Sequence, residues 1–412
     1  RYTLTLRQHC PPTPGQVRKE PFVIPVAAAL FGQDGSKLAL QSGQFESVLV
    51  LSESEQHFVF DSVPQPPVPS LLRGFSSPVK LLDALDNDSL GTLFRHDDDP
   101  FNRWEAGQRL FQQTILDNIS RAQEDKAPRY DDSLLHLVGD LIRNPGDDRL
   151  LAATLLTLPG EKWLAELSKP VDPHGIATAR LGLQQRIASA HYDSIESLYK
   201  TLQDANDGSM SAQQRGIRGL RDVCLSYLVS LDTHGAHELA RQQFKSARNM
   251  TDRHSALVAM ANATASDRDA LLDNFYQEWQ EEALVVDRWF RVQAMARHPQ
   301  VLDHVTRLVE HPAFEPTNPN RVFSLLVAFA SGNPSGFHRQ DSAGYRFIAE
   351  WVCRIDPINP QVASRLVSTL TSWKDMIPIL GDGMLSALKE IRGQASLSPD
   401  VDEMVSRALE EA

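Results

Sequence analysis

The sequence predicts a multidomain chain: an immunoglobulin-like β-sandwich over 1–86, then an all-α helical-repeat superhelix of HEAT or armadillo type over 87–412. Three observations carry this reading. Short alternating or β-branched runs bounded by turn residues fill the first 85 positions. Apolar residues at three- and four-residue steps dominate the remainder. Through that remainder, Asp-Pro and Asn-Pro pairs recur as helix-start signals.

The β part opens at once, with Tyr2, Leu4 and Leu6 alternating over Tyr2–Arg7. Further strands are expected at 21–31, 37–40, Ser47–Leu51, 56–60 and 79–82. Turn chemistry separates them: Pro11-Pro12-Thr13-Pro14-Gly15, Gln33-Asp34-Gly35 and Ser42-Gly43. Asp34-Gly35 between two apolar runs predicts a hairpin. Four prolines within 64–69 cannot sit inside a sheet, so this segment reads as an edge or crossover loop. Several short strands in this length fit a small sandwich.

The helical part starts clearly at Asp99-Pro100, where Asp is the N-cap and Pro lies in the first turn. Beyond it, Phe101, Trp104, Phe111, Ile115 and Ile119 form one apolar face. The same start signal returns as Asn144-Pro145, Asn318-Pro319, Asn333-Pro334 and Asn359-Pro360. Val285, Val286, Trp289, Phe290 and Val292 mark another buried face, and Gly381-Asp382-Gly383 reads as a turn opening the helix of Met384, Leu385 and Leu388. Helix after short helix predicts stacked pairs, with a repeat too degenerate to show a strict period.

Charge narrows the function classes. The net charge is −12, and because acidic and basic residues balance in the first 85 positions, seven of each, the whole excess lies on the helical part. Neutralising many phosphates needs a basic face, so nucleic acid and anionic membrane surfaces are not expected partners. The longest nearly apolar run, 22–31, is interrupted by Pro25 and is far shorter than the ~20 residues a membrane helix needs. Three cysteines, Cys10, Cys224 and Cys353, lie far apart with no C-x-x-C pair, which suits a reducing compartment and predicts a cytoplasmic location. No signal-peptide pattern, no initiator Met and an abrupt first strand lead to the expectation of a cut inside a longer chain.

No complete active site is expected. His237-Glu238-Leu239-Ala240-Arg241 is close to the zinc motif H-E-x-x-H, in which two His at i and i+4 share one helix face. Arg241 stands where the second ligand must be, and a guanidinium does not ligate metal at neutral pH. This stretch therefore reads as a surface helix. Asp97-Asp98-Asp99 is read as capping the following helix and complementing its dipole, not as a Ca²⁺ or Mg²⁺ loop. His304 and His311, seven apart, read as a solvent-facing pair lacking a third ligand. Nucleophile-elbow, Walker-type and dinucleotide-binding motifs are missing. On the residues alone the chain is a binding or structural module, with no catalytic and no metal-ligating residue of its own.

Specific strings then carry a resemblance. Thr3-Leu4-Thr5-Leu6 through Pro11 to Gln16, Pro21-Phe22-Val23-Ile24-Pro25-Val26, Phe58-Val59-Phe60-Asp61 and Pro67-Val68-Pro69-Ser70-Leu71-Leu72 are similar to the third domain of the bacterial-type aminopeptidase N family. Phe101-Asn102-Arg103-Trp104-Glu105-Ala106, Asn249-Met250-Thr251-Asp252, Asn318-Pro319-Asn320-Arg321, the stretch Asn333-Pro334 to Phe337-His338 with Gly344-Tyr345, and Asn359-Pro360-Gln361-Val362-Ala363-Ser364-Arg365-Leu366 look like its fourth. The strings run in order over essentially the whole chain.

The resemblance implies the C-terminal half of a four-domain zinc aminopeptidase that removes N-terminal residues from peptides. In that family the zinc domain carries G-A-M-E-N and H-E-x-x-H, and neither stands in this chain. It thus implies a non-catalytic portion, zinc only in the parent enzyme, and as partners peptide substrates and the catalytic and N-terminal domains of the same parent chain. The helical domain of the family closes over the active site, and the resemblance implies that Arg365 faces that cavity; on the residues alone, beside the apolar face of Val362, Leu366, Leu370 and Trp373, it reads either as a snorkelling surface arginine or as an inward one. Arg321 is a second chamber candidate; a neighbouring position basic in relatives is Phe323 here. The rival expectation is a stand-alone peptide- or protein-binding scaffold without enzymatic activity.

Overall fold

A computed structural model describes residues 1–40, 43–61 and 63–410. The chain divides into two compact units, 1–114 with 130–158 and 115–129 with 159–412, the division falling inside the helix Pro100–Gln123.

In the first unit, β1 (Tyr2–Arg7) and β5 (Glu55–Phe60) form an antiparallel pair with Tyr2 opposite Phe60. A second sheet centres on β2 (Ile24–Phe31), paired with β3 (Lys37–Leu38), β4 (Ser47–Leu51) and β6 (Val68–Leu71), all antiparallel. Leu4 and Phe60 from the pair meet Val26, Ala28, Leu30 and Leu49 from the larger sheet in one core. The Asp34-Gly35 hairpin forms as expected: Gly32 N–H donates to the Ser36 carbonyl (2.7 Å), and Gly35 takes a φ of 82° that favours glycine. Gly43 likewise has φ 73°, while Ser42 of that expected turn lies outside the described residues.

Two strand expectations need correction. Residues 79–82 are irregular, and Val68–Leu71 is a strand that the prolines hid. Pro69 is tolerated because β6 is an edge, needing no N–H on its open side.

The Asp97-Asp98-Asp99 cluster divides its work, where capping alone was expected. Asp99 Oδ1 accepts from the N–H groups of Phe101 and Asn102, both at 3.0 Å, capping Pro100–Gln123. Asp97 and Asp98 instead hold the buried Arg73, whose Nη1–H also donates to Ser70 Oγ (2.9 Å). That clamp fixes the segment after β6 to the residues before the helix. Asn144-Pro145 starts no helix. Asn144 ends Asp132–Arg143, and Asp148 caps the next helix by accepting from Leu151 N–H at 2.9 Å.

The second unit is helix packed on helix: Tyr192–Ala205 on Ala212–Val229, His234–Ser246 on Met250–Ala261, and Ala343–Ile355 on Pro360–Val367. The caps Asn318, Asn333 and Asn359 form as expected, each side-chain oxygen accepting from an N–H of its own first turn. One long core joins Phe275, Trp289, Phe290, Leu325, Phe329, Tyr345 and Leu366. Gly381 and Gly383 do not precede a helix but lie inside Pro378–Arg392. A Cβ on Gly381 would stand 2.7 Å from the Trp373 carbonyl oxygen, so close approach of another backbone explains this glycine. Among the described residues no helix is long and apolar enough to cross a membrane.

Candidate functional site

Three neighbouring elements of the helical unit build the site. Ala283–Ala294 buries Val286, Trp289, Phe290 and Val292 and leaves the next stripe, Arg288, Arg291 and Met295, exposed. Against it packs the continuous helix from Pro319 to Gly332, whose middle, Phe323–Val327, is a π turn. Such turns widen a helix by one residue and recur at functional sites. Here the turn buries Ser324, Leu325 and Leu326 while Phe323 and Val327 stay half-buried. On it packs Pro360–Val367, which buries Val362, Ala363 and Leu366 and leaves Arg365 exposed. The surfaces left over border an open recess of about 460 Å³ lined by Arg291, Met295, Phe323, Val327, Gly332 and Arg365.

Two details fix its floor. A Cβ on Gly332 would stand 3.0 Å from Met295 Cε, so the glycine lets the methionine lie over the helix end. Ser331 lines this recess and also a second one of about 300 Å³, bordered by Pro173, Ile176, Ala330, His338 and Met376. His338 is buried there, hydrogen-bonded through Nδ1 to Tyr345 Oη (2.9 Å), and burial pushes its pKa down to about 4.

The two arginines marked from the sequence part company. Arg365 lines the larger recess, and its guanidinium makes no hydrogen bond or ion pair among the described residues. Arg321 does not line it. Its Nε–H donates to the Ala313 carbonyl (3.0 Å), its Nη1–H to the Ala283 carbonyl (2.9 Å) and to Asp287, and its guanidinium lies 5.9 Å from the centre of the Phe290 ring. It ties the Ala283–Ala294 helix to the start of the π-turn helix. Phe323, where a second basic residue would stand by resemblance, supplies an apolar wall instead.

The near-zinc motif is a structural network. His237 is buried, not on an open surface, and its Nε2–H donates to Asp232 Oδ1 (2.8 Å). Arg241 forks onto Asp267 at 2.6 and 2.9 Å and reaches Glu238 at 3.1 Å. Arg241 stands where the motif needs its second histidine, and its guanidinium is spent on Asp267 and Glu238, so this stretch does not fit the two-histidine zinc motif. Among the described residues no group of three His, Cys, Asp or Glu side chains is placed to hold a metal ion. The His304 and His311 expectation is overturned too. The helix Val301–Leu308 ends between them; His304 is buried against His298 (ring centres 5.0 Å apart), while His311 packs on Trp289. Burial, helped by Arg268, lowers the His304 pKa to about 4.

Arg291 belongs to no motif in the sequence. Its only signal there is the spacing Arg288, Arg291, Met295 opposite the buried face, which any solvated helix face also shows.

Comparison with known proteins places this geometry. Residues 87–410 match a family described as a domain of unknown function (DUF3458_C) with ARM repeats, and residues 1–84 match the companion DUF3458 domain of Ig-like fold. Aminopeptidase N of Escherichia coli is 37% identical over 410 residues, 99% of this chain and 47% of that protein. Aminopeptidase N of Caulobacter vibrioides is 40% identical over 366 residues, 88% of this chain and 42% of its own length. The chain therefore spans about half the length of these relatives. The crystal structure of Legionella pneumophila aminopeptidase A in complex with aspartic acid superposes with a TM-score of 0.84 at 28% identity, covering 100% of this chain and 47% of that one. The chain belongs to the DUF3458 family, an Ig-like fold joined to ARM repeats, and over nearly its whole length it is similar to the C-terminal half of bacterial aminopeptidase N.

Proposed function

We propose that this chain is the non-catalytic portion of a zinc-dependent, cytoplasmic aminopeptidase, with domains at 1–86 and 87–412, and that its helical domain shapes the chamber in which peptides are held. The observation that carries the reading is the similarity to aminopeptidase N over 99% of the chain. Zinc and the residues that activate water belong, on this reading, to the catalytic domain of the parent. No step of the chemistry runs through His237. Arg365 is a residue through which this half meets substrate. An exposed guanidinium with no acidic partner among the described residues can donate charge-assisted hydrogen bonds to a peptide carbonyl or carboxylate. Arg321 supports the same wall indirectly, by holding Asp287 on the neighbouring helix.

The test is Arg365→Ala in the full-length enzyme, with a tripeptide and a chromogenic amino-acid amide as paired substrates. Losing one charged hydrogen bond costs ~1.5–3 kcal/mol, or roughly tenfold to a hundredfold in kcat/KM. The contact lies away from the scissile bond, so the ratio of tripeptide to amide kcat/KM should fall by that factor, chiefly through KM. An unchanged ratio would remove Arg365 from the chamber. A matched loss on both substrates with a lowered melting temperature would make it a packing residue.

A further inference from the structure

The recess beside Arg365 holds a second cation of the same kind. Arg291 projects from Ala283–Ala294 into it, exposed, and like that of Arg365 its guanidinium makes no hydrogen bond or ion pair among the described residues. The recess thus has two guanidiniums and no carboxylate in its lining, within a chain of net charge −12. Positive potential kept free of neutralising partners on an acidic protein attracts an anion. The remaining lining is mostly apolar, with Met295, Phe323, Val327 and Ala328 beside Gly332 and a single hydroxyl, that of Ser331. Phosphates and nucleic acids are poorly served by such a floor, whereas an amino-acid residue presents a carboxylate beside an aliphatic or aromatic side chain. A volume of about 460 Å³ lies within the range that accommodates small organic ligands.

We infer that Arg291 and Arg365 form a two-guanidinium clamp for a peptide carboxylate, with the side chain of the last residue lying on Met295, Phe323 and Val327. The occupant is the free C-terminal carboxylate of a short peptide. This deepens the proposed aminopeptidase reading and rests on it for the peptide. The π turn has a direct part: by widening the helix between the two arginine-bearing helices it places Phe323 and Val327 on the recess side. Phe323 then supplies the apolar wall while the second positive charge comes from Arg291, one helix away.

The experiment compares trialanine, trialanine amide and Ala-Ala-Asp amide as substrates of the full-length enzyme and of its Arg291→Gln and Arg291→Lys variants. The ratio of kcat/KM for trialanine to that for trialanine amide should fall roughly tenfold in Arg291→Gln, through KM, and recover in part in Arg291→Lys. An equal effect on acid and amide, or none, overturns the clamp. A loss confined to Ala-Ala-Asp amide overturns the C-terminal assignment, since the recess would then be reading an acidic side chain. Turnover of an alanyl anilide by the unmutated enzyme reports the aminopeptidase reading on its own. If that turnover is absent, calorimetric titration of trialanine and trialanine amide into this chain still decides the clamp. Binding of the acid alone, weakened in Arg291→Gln, supports it; equal or no binding of the two overturns it.

Discussion

Replacing Arg221 with Met should destabilise the helical unit by about 2–4 kcal/mol. Arg221 lies on Ala212–Val229 and donates from Nη2 to Asp252 Oδ1 at 2.5 Å, with side-chain exposures of only 4% and 3%. Asp252 sits in the first turn of Met250–Ala261, where Asn249 caps the helix, and its Oδ2 accepts from the side-chain amides of Asn206 (2.9 Å) and Asn249 (3.1 Å). Breaking a buried pair from one side typically costs ~3–5 kcal/mol, because the remaining charge is stranded. Against this, Arg221 Nε has no partner among the described residues, so the substitution also removes an orphaned buried donor, worth about 1 kcal/mol. The difference corresponds to a drop of roughly 5–15 °C in melting temperature for a unit of this size. Thermal melting by far-UV circular dichroism and calorimetry reads it. The double variant Arg221→Met, Asp252→Leu should recover much of the loss, since both charges are then gone. A single variant melting within a degree of the unmutated protein, or a double variant showing the plain sum of two losses, would refute the reasoning.

Asp222, beside this pair, has its pKa pushed up to about 6 by burial, against hydrogen bonds from Ser255 Oγ (2.7 Å) and Gln243 Nε2 (3.2 Å). The folded state keeps the proton until about pH 6, whereas the unfolded chain releases it near ~3.9, so stability falls as pH rises between those values and then levels. Asp222→Asn should therefore gain stability relative to the unmutated protein as pH rises from 4 to 7; a difference independent of pH in denaturant titrations would contradict the assignment. Gly344→Ala should destabilise by roughly 1–3 kcal/mol or more, because the new Cβ would stand 2.2 Å from the Phe337 carbonyl oxygen, a backbone atom with no rotamer to yield. An unchanged melting temperature would show that the start of Ala343–Ile355 can shift freely.

Local signals were legible where one residue type does one job. Asp99, Asn318, Asn333 and Asn359 announce their helices because a side-chain acceptor before a proline fits few other places. The stripe Val286, Trp289, Phe290 shows its buried face directly in its spacing. What stayed hidden depends on partners distant in sequence. Asn144-Pro145 carries the same dipeptide but ends a helix, since the chain turns there and Asp148 supplies the cap. Pro69 masked an edge strand because only the pairing with β2 shows that its missing N–H faces no neighbour. Asp97 and Asp98 are committed to Arg73, 24 and 25 residues earlier, and no local pattern reveals that. The site followed the same rule. Arg365 came to notice through resemblance, Arg321 went to Asp287, and Arg291 joins Arg365 only because the π turn of Phe323–Val327 packs between their helices.

The most direct test of the account is aminopeptidase activity measured on two polypeptides: this chain, and the full product of the gene that encodes it. Each is assayed with an alanine anilide and a tripeptide, before and after treatment with a chelator and after zinc is restored. The full product should release N-terminal residues, lose that activity to the chelator and regain it with zinc, while this chain alone should hydrolyse neither substrate. A full product without zinc-dependent peptidase activity, or hydrolysis by this chain at a comparable rate, would contradict it.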